Sequence, residues 1–169
     1  GTKIKMTEQI VHLLGGRVAE KLTLDDISTG ASNDIMRATE LARDMVTKYG
    51  FSEKLGPVCY SQSDEVFLGN DYHSRKNYSE EVAAEIDEEV RRIVEEGFAE
   101  AERILTENID KLHEVARALL EVETLDGEQF EALYTGELTA ESLADKVKDR
   151  DEKIRKANEA EAAERKRLM

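Results

Sequence analysis

Apolar positions recur at helical spacing along nearly the whole chain. From about Thr7 to Leu22, the residues Ile10, Leu13, Leu14, Val18 and Leu22 fall mostly on one helical face. Thr7 is the predicted N-cap of this helix, with Glu8 and Gln9 in its first turn. Gly15-Gly16 interrupts the pattern at a cost of roughly 1 kcal/mol each. The pair predicts either a kink or the close approach of another backbone. After a loop at 23–32, a second helix runs from near Asn33 to Tyr49. Its stripe is Ile35, Ala38, Leu41, Ala42, Met45, Val46 and Tyr49, and Gly50 ends it. Periodicity then fails across 51–77, which holds Gly56-Pro57, Gly69-Asn70 and two short strand-like runs, Val58-Cys59-Tyr60 and Glu65-Val66-Phe67-Leu68. So long an irregular stretch in a compact domain signals a functional or interface loop.

Helical spacing returns at Ser79, the predicted cap of a long helix to about Leu105, with Val82, Ile86, Val90, Ile93, Val94, Ala101 and Leu105 as its stripe. A further helix spans about Glu107 to Val122. Asp126 and Gln129 have the spacing of a capping box for a short helix ending near Tyr134. Beyond Gly136 the pattern thins to Leu138, Leu143, Val147 and Ile154 among Ala, Glu, Lys, Arg and Asp. This reads as a charged helix held by i,i+4 pairs, without the apolar stripe needed to dock firmly. The expected organisation is an all-α, multi-helix bundle, with a packed domain over 1–136 and a charged helical tail or extension over 137–169.

Composition sharpens this picture. One Pro in 169 residues suits long helices, and five Tyr and four Phe without Trp argue against a large β-sandwich. A single cysteine, Cys59, excludes a disulfide framework. The balance of 24 basic against 38 acidic side chains gives a net charge of −14, which opposes binding to a nucleic-acid backbone. Nothing resembles a signal peptide, and no apolar run approaches the ~18 residues of a membrane span, so no membrane segment is expected here.

The chemistry begins with three histidines, His12, His73 and His113. His113-Glu114-Val115-Ala116-Arg117 falls short of the helical zinc motif His-Glu-x-x-His. Arg117 stands where the second imidazole belongs, and a permanent cation cannot ligate zinc. His113 therefore reads as a helix-surface residue beside a Glu. No phosphate loop and no nucleophile elbow is present. One run stands apart: Ser28-Thr29-Gly30-Ala31-Ser32-Asn33-Asp34-Ile35 packs turn formers against a helix start. Asp34 in that first turn either charges the helix N-terminus or offers an oxygen to a metal.

Together, Leu13-Leu14-Gly15-Gly16-Arg17-Val18-Ala19-Glu20 and the run Ser28 to Ile35 resemble the peptidase domain of the FtsH family of AAA+ zinc metalloproteases. Phe51-Ser52-Glu53-Lys54-Leu55-Gly56-Pro57, Glu65 to Gly69, Tyr78-Ser79-Glu80-Glu81 and Leu119 to Leu125 continue the resemblance, which covers about Met6 to Tyr134. It implies a homo-hexameric, membrane-anchored parent with its peptidase on the cytoplasmic side. Such a parent unfolds protein substrates with ATP and hydrolyses them with zinc-activated water and a Glu base. Unfolded or misassembled membrane and cytoplasmic proteins are the implied substrates.

In that family the zinc is held by the two His of His-Glu-x-x-His and one downstream Asp, which resemblance places at Asp34. Glu20 is similar to a residue near the zinc-site histidines and is a candidate to hydrogen-bond beside them. The His-Glu-x-x-His, expected upstream of Met6, and the ATPase module are not in this sequence. No catalytic residue is therefore assigned to it, and neither stable zinc binding nor proteolysis is expected of the chain alone. The alternative expectation is a non-catalytic helical assembly module, natural or engineered, derived from the same fold.

Overall fold

A computed structural model describes residues 1–61 and 78–168. Among these the chain forms six helices and no strand, the all-α architecture that the spacing predicts. They are α1 (Lys3–Thr23), α2 (Ser32–Thr47), α3 (Glu80–Glu107), α4 (Ile109–Val122), α5 (Gly127–Thr135) and α6 (Ala140–Leu168). Packing divides the chain into two compact units, Gly1–Glu107 and Asn108–Met169. Gly136, where the composition changes, lies inside the second unit. The strand-like run Glu65 to Leu68, Gly69-Asn70 and His73 lie outside the described residues.

In the first unit, α1, α2 and α3 pack pairwise around one core. Ile10, Leu13 and Leu14 of α1 meet Ala38, Ala42, Met45 and Val46 of α2, Ile86, Val90 and Ile93 of α3, and Leu55 from the segment after α2. Each large side chain buried there contributes roughly 1.5–3 kcal/mol. Helix α1 begins earlier than its pattern suggests. The Thr2 side chain accepts from the Lys5 amide at 3.2 Å and is the N-cap. Thr7 instead donates back to the Lys3 carbonyl at 2.9 Å, one turn into the helix. A threonine hydroxyl can serve either role, so its presence alone did not locate the cap.

The helix runs unbroken through Gly15 and Gly16, and a Cβ at either would meet nothing within 4 Å. The close approach is on the partner helix: a Cβ at Gly97 of α3 would stand 2.8 Å from Ile10 Cγ2. Gly97 thus lets α3 lie against the apolar face of α1. At the other end of the core, Gly50 has φ +62° and its Cβ would fall 2.8 Å from Pro57 Cα. The chain turns there and folds back, so that the Tyr60 and Ser61 amides both donate to the Thr47 carbonyl, at 2.7 and 3.0 Å.

Among the described residues of this unit, one carboxylate is buried. Glu89 is 5% exposed. It accepts from the Ser52 hydroxyl at 2.6 Å and from Arg92 Nε and Nη2, each at 3.0 Å. Ser52 in turn accepts from the Leu55 amide at 3.2 Å. The buried charge is therefore paired and hydrogen-bonded, the condition under which burial is tolerable. Arg92 holds its carboxyl below the usual range, aided by Ser52 against the opposing effect of burial.

The second unit is thinner. Its buried residues Ala118, Leu133, Ala140 and Leu143 bring α4, α5 and the start of α6 together. Asp126 and Gln129 make the reciprocal capping box that their spacing predicts, and α5 ends on Gly136 in the left-handed conformation. The charged helix docks further than its sparse stripe suggests: Ala140, Leu143 and Ala144 are buried and Val147 is half-buried. Two turns suffice because alanines on the same face permit close helix packing. From Lys148 to Leu168 every residue is exposed, and pairs such as Glu152–Lys156 at 2.8 Å line the surface.

Candidate functional site

The run singled out in the sequence connects the end of α1 to the start of α2. Helix α2 starts on Ala31, which has no side chain to cap it, and no side-chain cap hydrogen bond is present. Order comes from α1 instead. Glu20 accepts from the Ser28 hydroxyl at 2.6 Å through Oε1 and from the Ser28 amide at 3.1 Å through Oε2. The Ser28 hydroxyl also accepts from the Gly30 amide at 3.1 Å. Ser32 then donates its amide to the Thr29 carbonyl at 3.0 Å, and Ile35 to that of Ala31 at 3.0 Å. A Cβ at Gly30 would sit 3.1 Å from Ser28 Oγ, so glycine leaves the hydroxyl room to accept that amide.

These bonds hold the Glu20 carboxyl below its usual range. The Ser28 hydroxyl contributes most, then the Ser28 amide, with a smaller effect of the Arg17 charge, while desolvation opposes them. Arg17 is the unsatisfied member of the group. Its side chain is 18% exposed, and Nη1 lies 3.9 Å from Glu20 Oε2, outside hydrogen-bond distance. Nη1 is buried and makes no hydrogen bond among the described residues.

Asp34 sits in the first turn of α2. It is half-buried, and no described residue hydrogen-bonds or ion-pairs with its side chain. Among the described residues its carboxylate has no competing partner, whereas that of Glu20 is committed to Ser28. His12 is exposed on α1, His113 is exposed on α4 of the other unit, and His73 lies outside the described residues. Among the described residues no three His, Cys, Asp or Glu side chains cluster as a metal site. One half-buried carboxylate does not fit zinc, which takes three or four protein donors.

The near-motif at His113 has a structural use. Glu114 accepts from the Ala140 amide at 2.6 Å, satisfying a free N–H at the start of α6, and lies 3.6 Å from Arg117. Cys59 is exposed, with its thiol 3.2 Å from the Ser61 hydroxyl, which lowers its pKa together with the Ser61 amide and the Lys48 charge. Sequence reading missed the roles of Ser28, Arg17 and Glu89. For Glu89 a signal existed, since a carboxylate between Ile86 and Ile93 falls on the apolar face of α3.

The family model for peptidase family M41 matches residues 1–133. The chain is 56% identical over 168 residues to the ATP-dependent zinc metalloprotease FtsH 2 of Alkaliphilus metalliredigens, covering 96% of this chain and 24% of that protein. Identity to FtsH 1 of a Thermoanaerobacter species is 62% over 137 residues, covering 80% of the chain and 22% of the relative. Identity to FtsH of Bacillus subtilis is 49% over 156 residues, covering 90% and 24%. The chain thus spans about a quarter of the length of these relatives. The first alignment covers 96% of the chain, so it extends into the charged segment that follows residue 133.

Proposed function

The chain belongs to peptidase family M41, and from that premise we propose that it is part of an ATP-dependent zinc metalloendopeptidase. In this reading it supplies helical scaffold and one oxygen ligand, Asp34, to a zinc centre. The remaining donors, two imidazoles, and the general-base Glu belong to a His-Glu-x-x-His that this sequence does not contain. Three protein ligands would leave zinc the open position at which water is activated. The proposed substrates are unfolded or misassembled proteins of membrane and cytoplasm. The proposed assembly is a homo-hexamer anchored in the membrane, with its peptidase on the cytoplasmic side. Among the described residues, no helix is long and apolar enough to cross a membrane.

The observation that carries this reading is Asp34 itself. It lies in the Gly-Ala-Ser-Asn-Asp run, on a helix start tied to α1, and has no partner among the described residues. Its test uses a longer protein that joins this chain to a His-Glu-x-x-His segment and an ATPase module. Asp34→Asn should remove most bound zinc, measured by metal analysis. It should also lower ATP-dependent casein degradation by at least about 100-fold, the upper range for perturbing a metal site through its supporting residues, while ATP hydrolysis continues. Full zinc content and undiminished proteolysis in that variant would overturn the assignment. The chain alone should bind zinc weakly. Tight 1:1 binding lost in Asp34→Ala would show that further ligands lie within it.

A further inference from the structure

We propose that Glu20 is a positioning residue for Asp34, acting through Ser28 as a remote substitute for the N-cap that α2 lacks. The proposal rests on the reading of Asp34 as a metal ligand and adds what holds that ligand in place. Helix starts are ordinarily fixed by a Ser, Thr, Asp or Asn cap bonding the first-turn amides. Here the cap is Ala31, with no side-chain cap bond. Two sets of contacts in adjacent residues of the preceding turn take its place: Glu20 to the Ser28 hydroxyl and amide with Ser28 to the Gly30 amide, and the Thr29 carbonyl to the Ser32 amide. Glu20 is in the last turns of α1, whose Leu13, Leu14 and Val18 are buried, so the anchoring end is rigid.

Arg17 distinguishes positioning from simple stabilisation. An ion pair one turn apart, between Arg17 and Glu20, is the local option for both side chains. The structure leaves it 3.9 Å long, with a buried guanidinium nitrogen lacking an acceptor. Glu20 is held by the turn, and Arg17 keeps only this long ion pair with it, without a hydrogen bond. Removing the Ser28 hydroxyl releases one Glu20 oxygen toward Arg17. The first turn of α2 then loses its anchor, while the existing Arg17–Glu20 ion pair shortens in compensation. A residue that merely stabilises the fold would lower global stability and local order together.

The test is amide hydrogen exchange and urea denaturation of the full chain, carrying Ser28→Ala, Ser28→Thr or Glu20→Ala. In Ser28→Ala, exchange at Gly30 should quicken about tenfold, the effect of losing one hydrogen bond. The amides of Ser32 and Ile35, which Ser28 does not touch, should quicken with it, and the Asp34 amide resonance should shift. The denaturation midpoint and exchange at Met45, Val46 and Val90 should stay as in the parent chain. Ser28→Thr should restore slow exchange, and Glu20→Ala should reproduce the effect of Ser28→Ala at Ser32 and Ile35. Unchanged exchange at Ser32 and Ile35 in Ser28→Ala overturns the proposal. So does faster exchange throughout the bundle with a lowered midpoint. No metal or proteolysis enters this readout, so its failure removes the positioning role alone. The ligand reading of Asp34 fails separately, on the zinc content of Asp34→Asn.

Discussion

In the unit Gly1–Glu107, three helices each deliver several large apolar side chains to one core, and that core even accommodates a carboxylate, Glu89. In the unit Asn108–Met169, two of the four clustered buried residues are alanine, and the longest helix lies exposed from Lys148 onward. Both units are helical and heavily charged. The difference shows that charge density and helix length say little about cohesion. What matters is how many apolar side chains from separate helices converge at one place. A stripe repeated over a long helix, as on α3, binds along its length; two turns of α6 bind only at one end.

The sharpest way to break the comparison is to empty both cores. Leu14→Ala should destabilise the first unit by about 3–4 kcal/mol, through lost transfer energy and the cavity left behind. Leu143→Ala should cost about 2–3 kcal/mol, and exchange should report loosening of α4 to α6 rather than global unfolding. Equal losses of protection in both units after either substitution would refute their separate cohesion.

Next in size is the buried carboxylate. Glu89→Ala strands Ser52 and removes two bonds from Arg92, which keeps Glu96 as a partner at 2.9 Å. Urea denaturation should show a loss of about 2 kcal/mol, typical of hydrogen bonds to a charged group. The pH dependence follows from the lowered pKa of Glu89. A carboxyl lower in the folded than the unfolded chain adds stability above the unfolded value, about 4.3, and this is lost as pH falls through the folded value. Stability of the first unit should therefore decline as pH falls from about 4.3 toward the lower folded value, and Glu89→Ala should flatten the decline. A slope unchanged by the substitution would show that other carboxylates dominate.

The smallest effect concerns the exposed end of α6. Ending the chain after Arg150 should change the stability of the second unit by less than about 0.5 kcal/mol, the range for surface changes. Circular dichroism should lose only the helical signal of the removed turns. A drop comparable to that of Leu143→Ala would mean that the exposed stretch is held after all.

The site was legible to a different degree from the fold. Asp34 could be placed in the first turn of a helix because turn formers precede an apolar stripe, and family resemblance gave that position its proposed metal role. Glu20 was legible as a position, but its contact with Ser28 was not. Eight residues and a reversal of chain direction separate the two, and no periodicity encodes which hydroxyl a carboxylate will choose. Likewise, Gly15-Gly16 suggested a close approach that occurs at Gly97, because spacing within one helix cannot show which partner helix comes near.

What the sequence determined alone is what depends on neighbours a few residues away. The helices around Ala38, Ile86 and Ala118, the Asp126–Gln129 capping box and the left-handed stop at Gly136 all arise from one or two turns of local chemistry. The tertiary structure decided the rest: that Glu89 is buried with Ser52, that α6 docks for only two turns, and that Glu20 hydrogen-bonds Ser28 while keeping only a long ion pair with Arg17. Each is a competition between partners distant in the chain. The winner is set by which surfaces pack together and which polar groups packing leaves within about 3 Å of one another.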